Sequence, residues 1–262
     1  MKLSISNIAW DLKYDEEIYK YLKSMDFEGL EIAPTRLIPY DPYNSIDKSV
    51  EIAKYIEEEY NLIISSMQSI WFGRMENIFG TEEDRDILIS YTDKAIEYAK
   101  SINCKNLVFG CPKNRNIDNF NKYNIAIDFF RKLGEHAEQN NVVIALEPNP
   151  IIYNTNFINY TADAISFVKE INSRGLMVNL DLGTVIWNNE NLKWILDDIS
   201  IINHIHVSEP YLEQIKPREI HKKLKCLLLE KGYSNYVSIE MKNTGDVDKV
   251  KSTVDYINEV MR

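Results

Sequence analysis

The chain alternates short apolar runs with longer amphipathic segments, and it does so eight times in succession. The first pair is the apolar run 2–10 and the segment 15–25, in which Ile18, Tyr21, Leu22 and Met25 share one helical face. Seven further strands are predicted, at 27–34, 61–70, 106–112, 142–150, 176–184, 202–210 and 236–242. The helices that follow them are predicted at 49–60, 81–102, 120–139, 161–171, 191–199, 218–232 and 247–260.

Regular alternation of strands and helices indicates an α/β protein with a parallel sheet. Eight units in 262 residues predict a closed (β/α)8 TIM barrel, which commonly has this length. The alternative is a doubly wound open sheet, but no G-x-G-x-x-G or Walker loop follows the first strand. No segment has the composition of a linker, so residues 1–262 are predicted to form one domain.

Composition and charge limit the classes of binding partner and cofactor that are expected for this chain. The net charge is −10 and the basic residues form no block, so a nucleic-acid partner is not expected. No apolar run approaches the roughly 20 residues of a membrane span, and the first ten residues do not resemble a signal peptide. The three cysteines form no CxxC pair, which excludes a thiolate zinc cluster and indicates a reduced, cytoplasmic protein.

Four late strands each carry a metal-competent side chain close to the carboxyl end, where barrel chemistry gathers: Glu147, Asp181, His206 and Glu240. Each lies on an inward stripe of period two, such as 143, 145 and 147, and the alternating outward positions are apolar. Any one of these residues alone could be a solvated rim residue. Four in register favour a metal site instead.

Three carboxylates and one imidazole that converge inside a barrel need a compensating cation. Mostly oxygen ligands with one nitrogen suit one divalent ion, with Mn²⁺ or Mg²⁺ favoured and Co²⁺ or Zn²⁺ as alternatives. His204 lies one step deeper than His206 on the same stripe. It is expected to be a buried structural histidine or a residue that orients a ligand from behind.

The strand-end motifs ALEPNP, NLDLGT, HIHVSEP and VSIEMK resemble those of the xylose isomerase-like TIM barrels. With GLEIAPT (29–35) and SMQSIWFG (66–73), they resemble the sugar phosphate isomerase/epimerase group, which includes ketose 3-epimerases and hydroxypyruvate isomerases. The resemblance implies one divalent metal held by Glu147, Asp181, His206 and Glu240. It also implies that Glu147 and Glu240 are the catalytic acid/base pair, which act through a metal-stabilised enediolate.

The resemblance includes the metal ligands but does not extend to the residues that contact the substrate in that group. Ketose epimerases of this group have a histidine three residues after the ligand aspartate, where this chain has Thr184. They have an arginine six residues after the ligand histidine, where this chain has Leu212. They have a second glutamate six residues after the first, where this chain has Tyr153. The substrate is therefore not expected to be a free ketohexose.

Other polar and aromatic residues near strand ends are candidates for binding substrate: Trp10, Glu31, Gln68, Lys113, Asn149, Glu209 and Lys242. Lys113 belongs to a cationic loop that could hold a phosphate or carboxylate, or could be an ordinary surface loop. Trp10 could form an apolar wall for a sugar ring or could simply pack in the core. Glu209 points away from the axis by strict alternation and is expected at the rim.

The sequence thus predicts a metal-dependent isomerase or epimerase of a small sugar or sugar derivative. A metal-dependent lyase or dehydratase on the same barrel is the alternative enzyme, and a non-catalytic polyol-binding barrel is the alternative outside enzymes. The apurinic endonuclease branch of the superfamily binds several zinc ions with many histidines, whereas this chain has four histidines and an acidic charge. Barrels of the family often pair through their faces, so a homodimer is an option.

Overall fold

The computed structural model describes residues 1–262, with the side chain of Phe120 left aside. Eight parallel strands form a closed barrel in chain order. They are β1 (Lys2–Ser6), β2 (Gly29–Ile32), β3 (Ile63–Met67), β4 (Asn106–Phe109), β5 (Val143–Leu146), β6 (Leu176–Asp181), β7 (Ile202–Val207) and β8 (Tyr236–Ile239). Leu3 of β1 pairs with Val237 of β8, which closes the barrel.

Helices lie between the strands. They are α1 (Asp15–Ser24), α2 (Pro34–Leu37), α3 (Ile46–Tyr60), α4 (Glu82–Ser101), α5 (Tyr123–Gln139), α6 (Thr161–Ile171), α7 (Leu182–Asn188), α8 (Leu192–Ile195), α9 (Glu219–Glu230) and α10 (Val247–Met261). None of the helices in the part of the chain that the structure describes combines the length and apolarity of a membrane span.

The predicted TIM barrel is confirmed, and the open-sheet alternative is wrong because β1 pairs with both β2 and β8. Two helix ends carry residues whose chemistry suits a cap. Thr81 caps α4 by accepting a hydrogen bond from the backbone N–H of Asp84, and the Asp84 carboxylate accepts one from Thr81 in return. Gly232 follows α9 with a φ of +68°, the left-handed conformation that favours glycine at this position.

Several strands end earlier than the sequence predicts, because a helical turn begins directly at the strand end. The predicted strand 2–10 stops at Ser6, where a 3-10 turn takes over at Asn7–Ala9. The predicted strand 176–184 stops at Asp181, and α7 starts at the next residue. Because the strands end early, residues at the carboxyl edge of the barrel are not held in backbone pairing, and this edge can present side chains.

The strand faces divide as the alternation requires. The outward residues of the late strands are fully buried against the helices, for example Leu146, Leu180, Ile205 and Ile239. The inward residues of the same strands include the buried polar side chains of Asn179, His204, His206 and Ser238, so the barrel has a buried polar centre inside an apolar ring. That centre opens at the carboxyl edge, where the site lies.

Candidate metal centre and active site

Four polar side chains converge from β6, β7 and the residues that directly follow β5 and β8. Glu147, Asp181, His206 and Glu240 each bring one ligand atom to a common point, and these atoms lie within 4.8 Å of one another. All four residues are buried. The strand register makes this possible, because Asp181 lies beside His206, and His206 lies beside Ser238, two residues before Glu240.

The two ring nitrogens of His206 face different partners. Its Nδ1 lies 3.0 Å from Glu147 Oε2 and 3.1 Å from Glu240 Oε2. Its Nε2 lies 3.0 Å from Glu31 Oε2, and Glu31 is completely buried. A hydrogen bond from Nε2–H to Glu31 leaves the Nδ1 lone pair directed at the ligand cluster, which is the arrangement of a metal-binding histidine held by a carboxylate.

His204 lies behind this pair. Its Nε2 is also 3.0 Å from Glu31 Oε2, but it is out of line for a hydrogen bond. The rings of His204 and His206 meet edge to face with centroids 5.2 Å apart. Glu31, His204 and His206 form a second cluster of metal-competent atoms, but His206 directs only Nε2 toward it. Its Nδ1 faces the four-ligand cluster.

The Asp181 carboxylate accepts three hydrogen bonds from two neighbouring residues, Thr184 and Ser208. Its Oδ1 accepts hydrogen bonds from the backbone N–H of Thr184 at 2.6 Å and from the Thr184 hydroxyl at 2.8 Å. Its Oδ2 accepts a hydrogen bond from the hydroxyl of Ser208, whose oxygen in turn accepts one from the N–H of Gly183. Asp181 is thus both a strand-end ligand candidate and the N-cap of α7.

The Glu147 carboxylate is held from both sides by amides. Asn179 Nδ2 donates to its Oε2 at 2.6 Å, and Asn149 Nδ2 donates to its Oε1 at 2.9 Å. Arg115 is completely buried behind Asn149, and its Nη2 donates to the Asn149 side-chain oxygen at 2.6 Å and to the Glu147 carbonyl at 2.9 Å. This chain of contacts fixes the side chain of Glu147 at the mouth.

The electrostatics of the cluster favour the binding of a cation. Burial, and then the neighbouring Glu147, raise the pKa of Asp181 to about 6. Burial raises the pKa of Glu240 to about 7, although His206 works against it. Burial alone would lower the pKa of His206, but the carboxylates of Glu240 and Glu31 hold it well above its ordinary value. A divalent cation among these atoms would supply the charge that three carboxylates need, so the donor set fits such an ion.

A small cleft of about 170 Å³ opens above the four candidate ligands. Of the residues predicted to bind substrate, Gln68 and Asn149 line it. Glu31 lies beneath it, where Gln68 Nε2 reaches both Ser6 at 2.7 Å and Glu31 at 3.5 Å. Lys113 and Lys242 are exposed residues outside the cleft wall.

Two of the predicted residues are engaged elsewhere. Trp10 is buried, donates from its indole nitrogen to Asp15 at 2.8 Å and packs edge to face on Tyr19. Glu209 is 2% exposed, and its two carboxylate oxygens accept hydrogen bonds from Arg218 Nε at 2.7 Å and Nη2 at 2.6 Å. The structure therefore places Trp10 in the core and Glu209 in an ion pair that anchors the loop after β7.

Asn179 and Ser208 hold the ligand carboxylates, a role that was not predicted for them from the sequence. Their spacing in the sequence could have identified them, since Asn179 and Ser208 lie on the same inward-facing stripes as Asp181 and His206. The positions where ketose epimerases carry polar groups are used differently here. Tyr153 and Leu212 line the cleft wall, while Thr184 bonds Asp181.

Comparisons with known proteins agree with the barrel fold. One similar solved structure is a 3-keto-D-glucoside 4-epimerase, YcjR, from E. coli, with 20% identity, a TM-score of 0.80 and 99% of each chain covered. A second is a D-psicose 3-epimerase from Clostridium cellulolyticum H10, with 16% identity, a TM-score of 0.80 and 100% of each chain covered. A third is an AP endonuclease, family 2, from Brucella melitensis, with 18% identity, a TM-score of 0.76 and 99% of each chain covered. At these identities they establish the fold alone. A search of curated proteins gave no significant match.

A family model described as xylose isomerase-like TIM barrel matches residues 19–260, which include every strand after β1 and all four candidate ligands. The chain therefore belongs to the xylose isomerase-like TIM barrel family.

Proposed function

We propose that the protein is a divalent-metal-dependent isomerase or epimerase of a small sugar or sugar derivative. The observation that carries the proposal is the buried convergence of Glu147, Asp181, His206 and Glu240 at the carboxyl edge of the barrel. Solved structures of similar fold include epimerases of a keto-glucoside and of a ketohexose, which supports this reaction class. The three cysteines are free, in keeping with a cytoplasmic protein.

The four side chains would hold the ion through one nitrogen and at least three oxygens. Mn²⁺ or Mg²⁺ suits this set best, with Co²⁺ or Zn²⁺ as alternatives. When bound, a divalent ion polarises adjacent carbonyl and hydroxyl oxygens of a sugar and so acidifies the hydroxyl-bearing carbon α to the carbonyl. Glu31 orients the imidazole, and Thr184 and Ser208 orient the Asp181 carboxylate for this task.

Glu147 and Glu240 are the proposed proton-transfer groups. Both carboxylates line the cleft, and each lies about one hydrogen-bond length from His206 Nδ1. One carboxylate removes the proton from the acidified carbon, and the same or the opposite one returns it. Return to the neighbouring carbon gives isomerisation, and return to the opposite face gives epimerisation. The amides of Asn149 and Asn179 keep Glu147 fixed during both steps.

The experiment is solvent-deuterium exchange. The Mn²⁺-loaded protein is incubated in D₂O with a panel of ketoses, aldoses, keto-glycosides and their phosphates, and deuterium at carbon is read by NMR. Metal-dependent exchange is expected, with a loss of at least about 100-fold in Glu147→Gln and in Glu240→Gln. Glu213→Gln is the matched control, because Glu213 pairs with Lys216 at the surface.

Exchange that persists in the Glu147→Gln, Glu240→Gln double variant would show that other groups move the proton. Loss of water from the sugar without return of the proton would point to the lyase or dehydratase chemistry instead.

A further inference from the structure

An aromatic cluster lies beside the cleft, and the metal centre does not account for it. It consists of Tyr153, Tyr211 and Trp187, contributed by the segments that follow β5, β7 and β6. The rings of Tyr153 and Tyr211 have centroids 6.4 Å apart, and those of Tyr211 and Trp187 have centroids 5.8 Å apart. Tyr153 lines the cleft itself, so the cluster runs from the cleft wall outward.

The outer two rings are open to solvent. Tyr211 is 50% exposed and Trp187 is 42% exposed, so both rings present a large apolar surface to solvent beside the cleft. An aromatic ring that keeps one side open offers an apolar surface with a polar rim, and the C–H faces of sugar rings stack on such surfaces.

The backbone adopts strained conformations to present this surface. Tyr211 and Leu212 have φ values of +62° and +52°, so two consecutive residues other than glycine occupy the left-handed region. Such residues cost about 1 kcal/mol or more each and persist only where neighbouring contacts hold them. Here the N–H of Tyr211 donates to the Tyr153 hydroxyl at 2.9 Å, and the Glu209–Arg218 ion pair anchors the loop from below.

The cleft and its lining limit what can occupy the site. Its volume of about 170 Å³ is well below the roughly 300–1,000 Å³ of sites that enclose larger ligands, and it suits a single sugar unit. The described residues that line it include no lysine or arginine, so the cleft wall offers no cationic side chain to a phosphate. A substrate larger than one sugar unit would extend out of the cleft, and Tyr153 connects the cleft wall to the exposed rings of Tyr211 and Trp187.

We infer that the substrate is an uncharged sugar unit carrying a second ring, such as a disaccharide or another glycoside, and that Tyr211 and Trp187 bind the second ring. This inference rests on the proposed function for the first ring, which lies in the cleft. The aromatic cluster determines specificity and takes no part in proton transfer.

Binding measurements test the inference without relying on turnover. Glucose, fructose, sucrose, maltose, cellobiose and trehalose are titrated by calorimetry into the Mn²⁺-loaded protein and into the metal-free protein. At least one disaccharide is expected to bind about tenfold more tightly than either of its units, and the variants Trp187→Ala and Tyr211→Ala are expected to remove that advantage. Trp194→Ala and Tyr55→Ala are matched controls, because those rings are exposed elsewhere, at 73% and 49%.

The outcomes separate the two proposals. If disaccharides keep their advantage but no sugar exchanges deuterium, the proposed reaction fails and the binding surface stands. The second-ring site is overturned if no disaccharide binds more tightly than its units, or if the advantage survives in the Trp187→Ala, Tyr211→Ala double variant. The proposed reaction still stands in either case if single sugars exchange deuterium. Unchanged thermal unfolding of the variants shows that the fold is intact.

Discussion

His206 is oriented for metal binding by a partner that lies far away in the sequence. Its Nε2 faces Glu31, 175 residues earlier in the chain, and its Nδ1 faces the carboxylates of Glu147 and Glu240. The histidines hold the pKa of Glu31 well below its usual value despite complete burial, so this carboxylate stays ionised and accepts the Nε2 proton. The tautomer that exposes Nδ1 follows from that contact.

Removal of the Glu31 charge should therefore weaken metal binding without removing a ligand. Glu31→Gln is expected to lower the Mn²⁺ affinity about 10- to 100-fold, because the imidazole loses the partner that fixes its tautomer and raises its basicity. Mn²⁺ titration followed by electron paramagnetic resonance measures the effect. Glu28→Gln, at a half-exposed glutamate just before β2, is the control. Equal affinities in both variants would show that Glu31 has no part in ligand orientation.

At the scale of elements, the junction of β6 and α7 connects the strand end to the site. Asp181 ends the strand, caps the helix and bears the candidate ligand oxygens. Gly183, in the first turn of α7, lies so close to its neighbours that an added Cβ would be 3.0 Å from Ser208 Oγ and 3.1 Å from Asp181 Oδ1. The position of the Asp181 carboxylate thus depends on the absence of a side chain two residues later.

Gly183→Ala tests this junction. Alanine favours the helix by up to about 1 kcal/mol relative to glycine, so the thermal unfolding midpoint should not fall greatly. The added methyl group must displace Asp181 or Ser208 by a few tenths of an ångström, so Mn²⁺ affinity is expected to fall about tenfold or more. Calorimetric Mn²⁺ titration and thermal unfolding of the same variant are compared. A large loss of stability with unchanged affinity would contradict this account of the junction.

Alternation along each strand is a local property, and it was enough to predict the barrel and the inward position of each candidate ligand. The points where strands stop were missed, since at Asp181 a side-chain cap competes with sheet pairing. Contacts made by residues in loops could not be predicted from the sequence either. Glu209 meets Arg218 only because the backbone reverses at Tyr211 and Leu212. Likewise, Glu31 reaches His206 only once the barrel closes.

For the whole molecule, the barrel surrounds its polar centre with an apolar ring, so ionised groups there are expensive. In the metal-free protein, Glu240 has its pKa raised to about 7 by burial, and His206 has its pKa held well above normal by carboxylates. Both groups bind more protons when folded than when unfolded. Stability must therefore fall as the pH rises through these folded-state pKa values.

We accordingly expect metal-free protein to unfold at lower urea concentration at pH 9 than at pH 6.5. His204 and His221, whose pKa values are lowered by burial, lose their last unfolded-state protons just above pH 6.5, so they oppose this trend by less than about 0.5 kcal/mol each. Bound metal replaces the protons, so saturating Mn²⁺ should reduce the pH dependence and stabilise the fold by about 2.7 kcal/mol at 100 times Kd. Equal pH profiles with and without Mn²⁺ would contradict this.

The central claim is that one divalent ion is held by Glu147, Asp181, His206 and Glu240. The most direct test is the metal content of the purified chain after Mn²⁺ loading and dialysis, measured by mass spectrometry for the wild type and for Asp181→Asn, His206→Ala and the control His136→Ala, whose histidine lies on α5. We predict one equivalent in the wild type and in the control, and less than about one tenth of an equivalent in the two ligand variants. A wild-type chain that retains no divalent ion, or ligand variants that retain a full equivalent, would contradict the account.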